Sequence, residues 1–356
     1  CKMEKSRGNE YRVGSRKSQL AVVQTEKIIE EFSKVNSSLS CKIVTYSTTG
    51  DMILNEALSK IGEKSLFTKE LEIALLKNEV DFVVHSLKDM QTTLNEDLVI
   101  AAILKREDPR DVLILHPSYS GHTLTSLPEN SVLGSSSLRR ITQLKGNYPH
   151  LKFSDIRGNL NTRLKKLDND DHYTGIVLAA AGVKRMGWEG RISEYLCPET
   201  CLYAVGQGAL AVECRKSDTE LVNLLNQLSD TPTVLRCVAE RTLLKSVEGG
   251  CSVPLGVNSE IRDDQLILTA GLFDLDGKSK AVVSDSVDLS SANEHTFEDL
   301  STECLTSVLM LNIEPHALKM AHRLGATLGK KLLLGQGGDI LKNVREKKLE
   351  ENTRRS

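Results

Sequence analysis

The chain has 356 residues, 40% of them hydrophobic and 26% charged, which is the balance of a soluble globular protein with more than one core. Its net charge of −2 excludes a generally polyanion-binding protein. No apolar stretch approaches the roughly 20 residues of a membrane-spanning helix, so no membrane role is expected.

The opening CKMEKSRGNEY is polar and charged, with no apolar stretch to serve as a secretory signal and no initiator methionine. A trimmed, cytoplasmic chain with a disordered first ten residues is expected. RVGS (12–15) reads as a strand, followed by a helix from about Arg16 in which Ala21, Ile28 and Phe32 recur at helical spacing. Further strands are expected at KIVTYST (42–48), DFVVH (81–85), VLILH (112–116), SVLG (131–134), LKFSDI (151–156) and GIVLAAAG (175–182). Strands alternating with helical segments predict an α/β fold.

In open α/β sheets ligands bind beyond the carboxyl ends of the strands, where helix starts favour anions. Cations follow these strands repeatedly. Arg16 follows the first, Lys88 the third, and Ser135, Ser136 and Ser137 lead from SVLG into Arg139 and Arg140 as candidate N-cap hydroxyls. Arg157 ends LKFSDI, Gly158-Asn159 offers a turn and a helix cap before Arg163, and Lys184-Arg185 follows GIVLAAAG. Residues 135–166 carry eight basic residues against Asp155 alone, a net +7.

Planar guanidinium groups suit carboxylates, because each can donate two parallel hydrogen bonds. The expected ligand is a small molecule with several carboxylates. Phosphate is the rival ligand, but nucleotide binding is disfavoured, since there is no GxxxxGK[ST] loop and GQG (206–208) completes no GxGxxG fingerprint. One acid, Asp89 of HSLKD (85–89), stands inside the basic rim. A carboxylate among arginines stays ionised at neutral pH, so it suits the stabilisation of developing positive charge.

Eight cysteines are scattered along the chain. The closest pair, Cys197 and Cys201, lacks partners for a zinc site, so reduced thiols and no metal are expected. Cys251, in VEGGCSVPLG (247–256), follows two glycines and precedes Pro254. A defined turn there suits either a buried thiol or a sulfur that something must reach.

Taken together, VGSRKSQLA (13–21), STTGD (47–51), EKSLFTKELE (63–72), HSLKD, GSSSLRR (134–140), IRGNLNTRL (156–164), AVGQGALAVE (204–213), and Glu240-Arg241 followed by GGCSVPLG resemble the porphobilinogen deaminase (hydroxymethylbilane synthase) family, from about residue 12 to 275. After Asp276 the match is looser. The resemblance implies a cytoplasmic, monomeric transferase of haem biosynthesis. It joins four porphobilinogen molecules head to tail with loss of ammonia, giving hydroxymethylbilane, and hands its product to uroporphyrinogen-III synthase.

It also implies a dipyrromethane cofactor, tied by a thioether to Cys251. Carried over position by position, Asp89 is the catalytic carboxylate, and Lys88, Ser135, Ser136, Arg140, Arg163 and Gln207 hold the cofactor. Arg16, Ser18, Arg139, Arg157 and Arg185 contact the substrate, Phe67 stacks on a pyrrole ring, and residues 50–64 form a lid. One departure adjoins the acid: Met90-Gln91-Thr92 stands where the family usually has a proline before the threonine.

The implied fold is α/β with three domains. The first two resemble the two lobes of type II periplasmic binding proteins, and the third is a small α+β domain with an antiparallel sheet. Lobe 1 takes residues 1–106 and 206–229, lobe 2 takes 107–205, and the last domain takes 230–356, with hinge crossings near 106 and 206. The third domain opens with a helix from Asp230 to about Val247. Strands 255–261 and 265–274 and a DLDG turn (274–277) suggest a meander, covered by helices that include 317–334. A non-catalytic anion-binding module of the same fold is the alternative. A nucleic-acid binder is weaker, because few aromatics accompany the basic stretch.

Overall fold

A computed structural model describes residues 10–52, 66–247, 253–290 and 305–353. Cys251 and its two glycines, the first nine residues and most of the expected lid (53–64) lie outside the described residues.

The chain opens with β1 (Glu10–Arg16), α1 (Gln19–Val35), β2 (Ser40–Tyr46), the short α2 (Thr49–Met52), α3 (Lys69–Leu76), β3 (Phe82–Ser86) and β4 (Leu98–Ile103). It then crosses to β5 (Asp111–Leu115), β6 (Val132–Gly134), α4 (Leu138–Asn147), β7 (Lys152–Ser154), α5 (Leu160–Asn169), β8 (Gly175–Ala179), α6 (Ala180–Arg185) and β9 (Glu194–Leu196). A second crossing leads back to β10 (Leu210–Arg215) and α7 (Thr219–Asn226). Last come α8 (Thr231–Ser246), β11 (Leu255–Arg262), β12 (Gln265–Phe273), β13 (Lys280–Asp288), α9 (Pro315–Leu333) and α10 (Gln336–Thr353).

Two five-stranded sheets share one plan, β2-β1-β3-β10-β4 and β7-β6-β8-β5-β9. In each, four strands share one direction and the fourth position is an antiparallel strand delivered by a crossing segment. Strands β3, β4, β5, β8 and β10 are buried almost throughout, which is why their sequences are nearly continuous apolar runs. Because β5 and β10 run backwards, their amino ends lie beside the carboxyl ends of their parallel neighbours: Asp111 pairs with Ala179 and Leu210 with Ser86. Both crossings therefore reach the rim at which ligands bind in such sheets. The fold is α/β, with two similar lobes and a third, smaller α+β domain.

That third domain is an antiparallel meander, β11-β12-β13, packed against α8 and α9. Asp230 caps α8 by accepting from the Thr233 amide at 3.1 Å. Strand β13 alternates exposed and half-buried residues, as suits an edge strand with one solvated face. At the DLDG turn Gly277 has φ +76°, and a Cβ there would meet the Thr142 carbonyl of α4, so the turn needs glycine twice over.

Three expectations are corrected. GIVLAAAG is a strand only to Ala179, and the remaining alanines open α6, since an alanine run fits either element. Strands β4, β9 and β10 were not expected. Ser137 holds the N-cap position of α4, but its hydroxyl makes no capping bond. The Ser135 hydroxyl instead accepts from the Ser137 amide at 3.3 Å, and the Ser136 hydroxyl donates to the Ile156 carbonyl at 2.7 Å.

Candidate active site

A cleft of about 600 Å³ separates the two lobes, and strand ends from both line it. Of the residues expected to act, Arg16, Ser18, Phe67, Lys88, Asp89, Ser136, Arg140, Arg157, Arg163 and Arg185 line it, whereas Ser135, Arg139 and Gln207 lie behind its wall.

Lobe 1 presents the acid. Strand β3 runs into a single 3-10 turn, Leu87–Asp89, with Leu87 buried in the core, so that Lys88 and Asp89 emerge into the cleft. Arg16, at the end of β1, stacks on the Phe67 ring at 4.3 Å and approaches Asp89 to 4.0 Å. Its main partner is Asp51, to which Nε donates at 3.1 Å. Gly50 permits this grouping, because a Cβ there would strike the Phe67 ring.

Lobe 2 presents cations. The Asp111 carboxylate is buried and accepts from Arg139 Nη1 at 2.6 Å, Arg140 Nε at 3.0 Å and Gln207 Nε2 at 2.8 Å. Burial alone would raise its pKa, but the two guanidinium groups overcome this and hold it well below the usual carboxylate range. Arg139 also donates to the Leu202 carbonyl at 2.7 Å and faces away from the cleft. Arg140 reaches the cleft wall from the same anchor.

Arg157, after β7, pairs with Asp155 through Nη2, while its Nε and Nη1 are buried without a hydrogen-bond partner. Gly158 turns the chain at φ +107°, and Asn159 caps α5 by accepting from the Thr162 amide at 3.0 Å. Arg185 Nη2 donates to the Gly208 carbonyl on the second crossing at 2.6 Å, and its Nε has no partner.

Among the described residues, no salt bridge forms at Lys88, Arg163 or Arg185. Burial pushes Arg163 down to about 10, with Arg140 adding to the effect, and pushes Arg185 down to about 10. Desolvation likewise brings Lys88 to about 8, against the pull of Asp89. Such a cluster lacks anions, and buried guanidinium nitrogens without partners fit the carboxylates of a ligand.

The crossings are fixed from the third domain. Glu240 of α8 binds Arg106 through two bonds of 2.6 and 3.0 Å and accepts from the Gly206 amide at 2.8 Å. Tyr203 and Val257 exchange backbone bonds of 3.0 and 2.8 Å. Sequence reasoning gave no role to Asp51, Asp111 or Arg106. An acid opening an otherwise apolar strand, as in DVLIL, is the signal that marks Asp111.

The geometry is that of a two-lobed α/β protein built to hold a small, carboxylate-rich molecule against one carboxylate of its own. The family model described as porphobilinogen deaminase, dipyromethane cofactor binding domain, matches residues 11–223, and that for the porphobilinogen deaminase C-terminal domain matches 234–304. The chain is 50% identical to a porphobilinogen deaminase of Synechococcus elongatus, covering 78% of this chain and 86% of the relative. It is also 50% identical to one from Desulforamulus reducens, over 74% and 84%. Among solved structures, the VFT2 domain of Bordetella pertussis BvgS aligns with a TM-score of 0.37 and 14% identity, over 62% of this chain and 86% of that one, too loosely to carry weight. The chain belongs to the porphobilinogen deaminase family, transferases of porphyrin biosynthesis with a dipyrromethane cofactor. No helix among the described residues is long and apolar enough to cross a membrane.

Proposed function

We propose that this chain condenses four porphobilinogen molecules into hydroxymethylbilane, with Asp89 as the catalytic carboxylate and Cys251 as the attachment point of the dipyrromethane. The observation that carries the residue roles is the meeting, in one cleft, of Asp89 with lobe 2 guanidinium groups whose buried nitrogens lack partners. When bound, the dipyrromethane supplies the electron-rich pyrrole carbon that primes the chain. Lys88, Ser136, Arg140 and Arg163 hold its acetate and propionate groups. Gln207 acts through Lys88, whose Nζ lies 3.5 Å from its Oε1, and Ser135 and Arg139 position the wall from behind.

Arg16, Arg157 and Arg185 orient the carboxylates of the incoming substrate, with Ser18 beside them. The Ser18 hydroxyl makes no capping bond to α1. As the aminomethyl C–N bond of porphobilinogen breaks and ammonia leaves, positive charge spreads onto the pyrrole nitrogen. The Asp89 carboxylate faces that charge and can move a proton at the aminomethyl nitrogen. Phe67 supplies an aromatic face, stacked on Arg16 on one side. The reading extends to the domain limits given by the sequence, to a cytoplasmic monomer, and to hand-off of product to uroporphyrinogen-III synthase.

Intact mass of the purified protein tests the reading. An adduct of two pyrrole units, abolished by Cys251→Ser, is expected. Unmodified protein that releases no ammonia from porphobilinogen overturns it.

A further inference from the structure

Arg241, on α8, is the largest of the fully buried side chains, and it lies outside the cleft lining. No carboxylate among the described residues comes within ion-pair distance of it. Its guanidinium instead donates to three backbone carbonyls: Gln91 at 2.6 Å, Thr306 at 2.9 Å and, more weakly, Met90 at 3.4 Å. Met90 and Gln91 are the two residues after Asp89. A buried cation bonded only to carbonyls, with its Nε left without a partner, is a costly way to fill a core, and an apolar side chain of similar volume often serves stability as well. Its retention points to a requirement of position.

A second observation comes from the other side of the same loop. Thr306 and Ser307 both hold left-handed backbone, at φ 53° and 64°, a conformation unfavourable for residues with a Cβ. Those angles accompany a Thr306 carbonyl turned to Arg241 and a Ser307 hydroxyl that accepts from the Leu94 amide at 2.9 Å. The Ser307 carbonyl also accepts from the Ile100 amide at 2.8 Å. The loop from Met90 to Leu94 is thus gripped at both ends by the third domain. Gln91 leaves φ free where a proline would fix it, so the rigidity of this turn comes from outside it.

We infer that Arg241 is a positioning residue for Asp89: it holds the turn that follows the acid and so couples the carboxylate's placement to the third domain. The inference rests on Asp89 being the catalytic carboxylate. Adjacent residues on α8 then serve two parts of the site, Glu240 the crossings and Arg241 the turn after the acid.

The test uses the full-length, cofactor-loaded enzyme, with loading checked by intact mass. Arg241→Lys keeps charge and bulk but has too few donors to reach all three carbonyls in the fork geometry. Its kcat should fall about 100-fold, as a small misplacement of a reacting group allows, with KM changed less than about threefold because the guanidinium groups that bind substrate are untouched. Amide exchange at residues 90–94 should quicken. Gln91→Pro added to Arg241→Lys should restore at least about tenfold of kcat by stiffening the turn. Met90, at φ −88° and ψ 140°, already has the extended geometry a following proline requires.

A normal kcat in Arg241→Lys, or no rescue by Gln91→Pro, overturns the inference. If the arginine variant misfolds, Ser307→Ala, which removes the third domain's other grip on this loop at the Leu94 amide, decides: kcat should fall with KM kept, and an unchanged kcat is fatal. Asp89→Asn separates the two readings, because full activity there removes the role of Asp89 itself, whereas inactivity beside an unaffected Arg241→Lys removes only that of Arg241.

Discussion

The two lobes share a strand order but not a chemistry. In lobe 1 the strand ends deliver Asp51 and Asp89 with Arg16 between them. In lobe 2 the corresponding ends deliver Arg140, Arg157 and Arg185, and of the acids that pair with wall arginines Asp111 is sealed behind the wall while Asp155 is partly exposed beside Arg157. Duplicate scaffolds thereby present different rims to one cleft, acids beside Arg16 and Lys88 from lobe 1 and a row of arginines from lobe 2. Similar folds position rims, and the side chains placed on those rims decide the chemistry.

The largest expected effect tests the acid side. Asp89→Asn should lower kcat by about 100-fold or more while the pyrrole adduct stays on the protein by intact mass. A raised KM with kcat retained would show that Asp89 binds instead, and the division between lobes would fail.

The next contrast sets two carboxylate–arginine clusters against each other. Asp111→Asn leaves two buried guanidinium groups without their counter-charge and should cost about 3–5 kcal/mol in denaturant unfolding. Asp51→Asn, at the partly exposed pair in lobe 1, should cost about 1 kcal/mol. Because the folded pKa of Asp111 is depressed, its contribution is complete above the unfolded value of about 4 and is lost as pH falls below it. The wild type should therefore lose stability in that acid range, and Asp111→Asn should flatten the curve.

A smaller effect tests the cationic side. Arg157→Gln or Arg185→Gln should raise KM about tenfold, as expected for one charged hydrogen bond, with little change in melting, because neither removes the partner of a buried carboxylate. The smallest concerns Lys88. With its pKa near 8, the ammonium of the cofactor-free protein is charged below that pH and lost above it, so uptake of the dipyrromethane by cofactor-free protein should weaken as pH rises through about 8. Lys88→Arg should remove that limb of the pH profile, and a limb that persists assigns it to another group.

Much of the rim was legible because strand periodicity and the residue after each strand are local properties. Arg16, Lys88, Asp89, Arg157 and Arg185 were found that way, and the turn and cap at Gly158-Asn159 stand as read. The resemblance returned residues 206–229 to lobe 1, but strand β10 and its place between β3 and β4 were not legible, since the whole of lobe 2 intervenes and local periodicity carries no trace of such a pairing. Strand β4, the run LVIAAI, was overlooked although its apolar continuity suits a central strand.

What the sequence alone determined is the inventory of groups and the strand ends that carry them, because alternation, turns and caps are set by neighbours. Only the tertiary structure decided which groups line the cleft. Arg139 and Arg140 are consecutive on α4, yet one faces inward to Asp111 and Leu202 while the other reaches the cleft, because successive residues on a helix point about 100° apart. The same holds for Glu240 and Arg241, whose targets Arg106 and Gln91 lie more than a hundred residues away and meet them only when the third domain packs against both lobes.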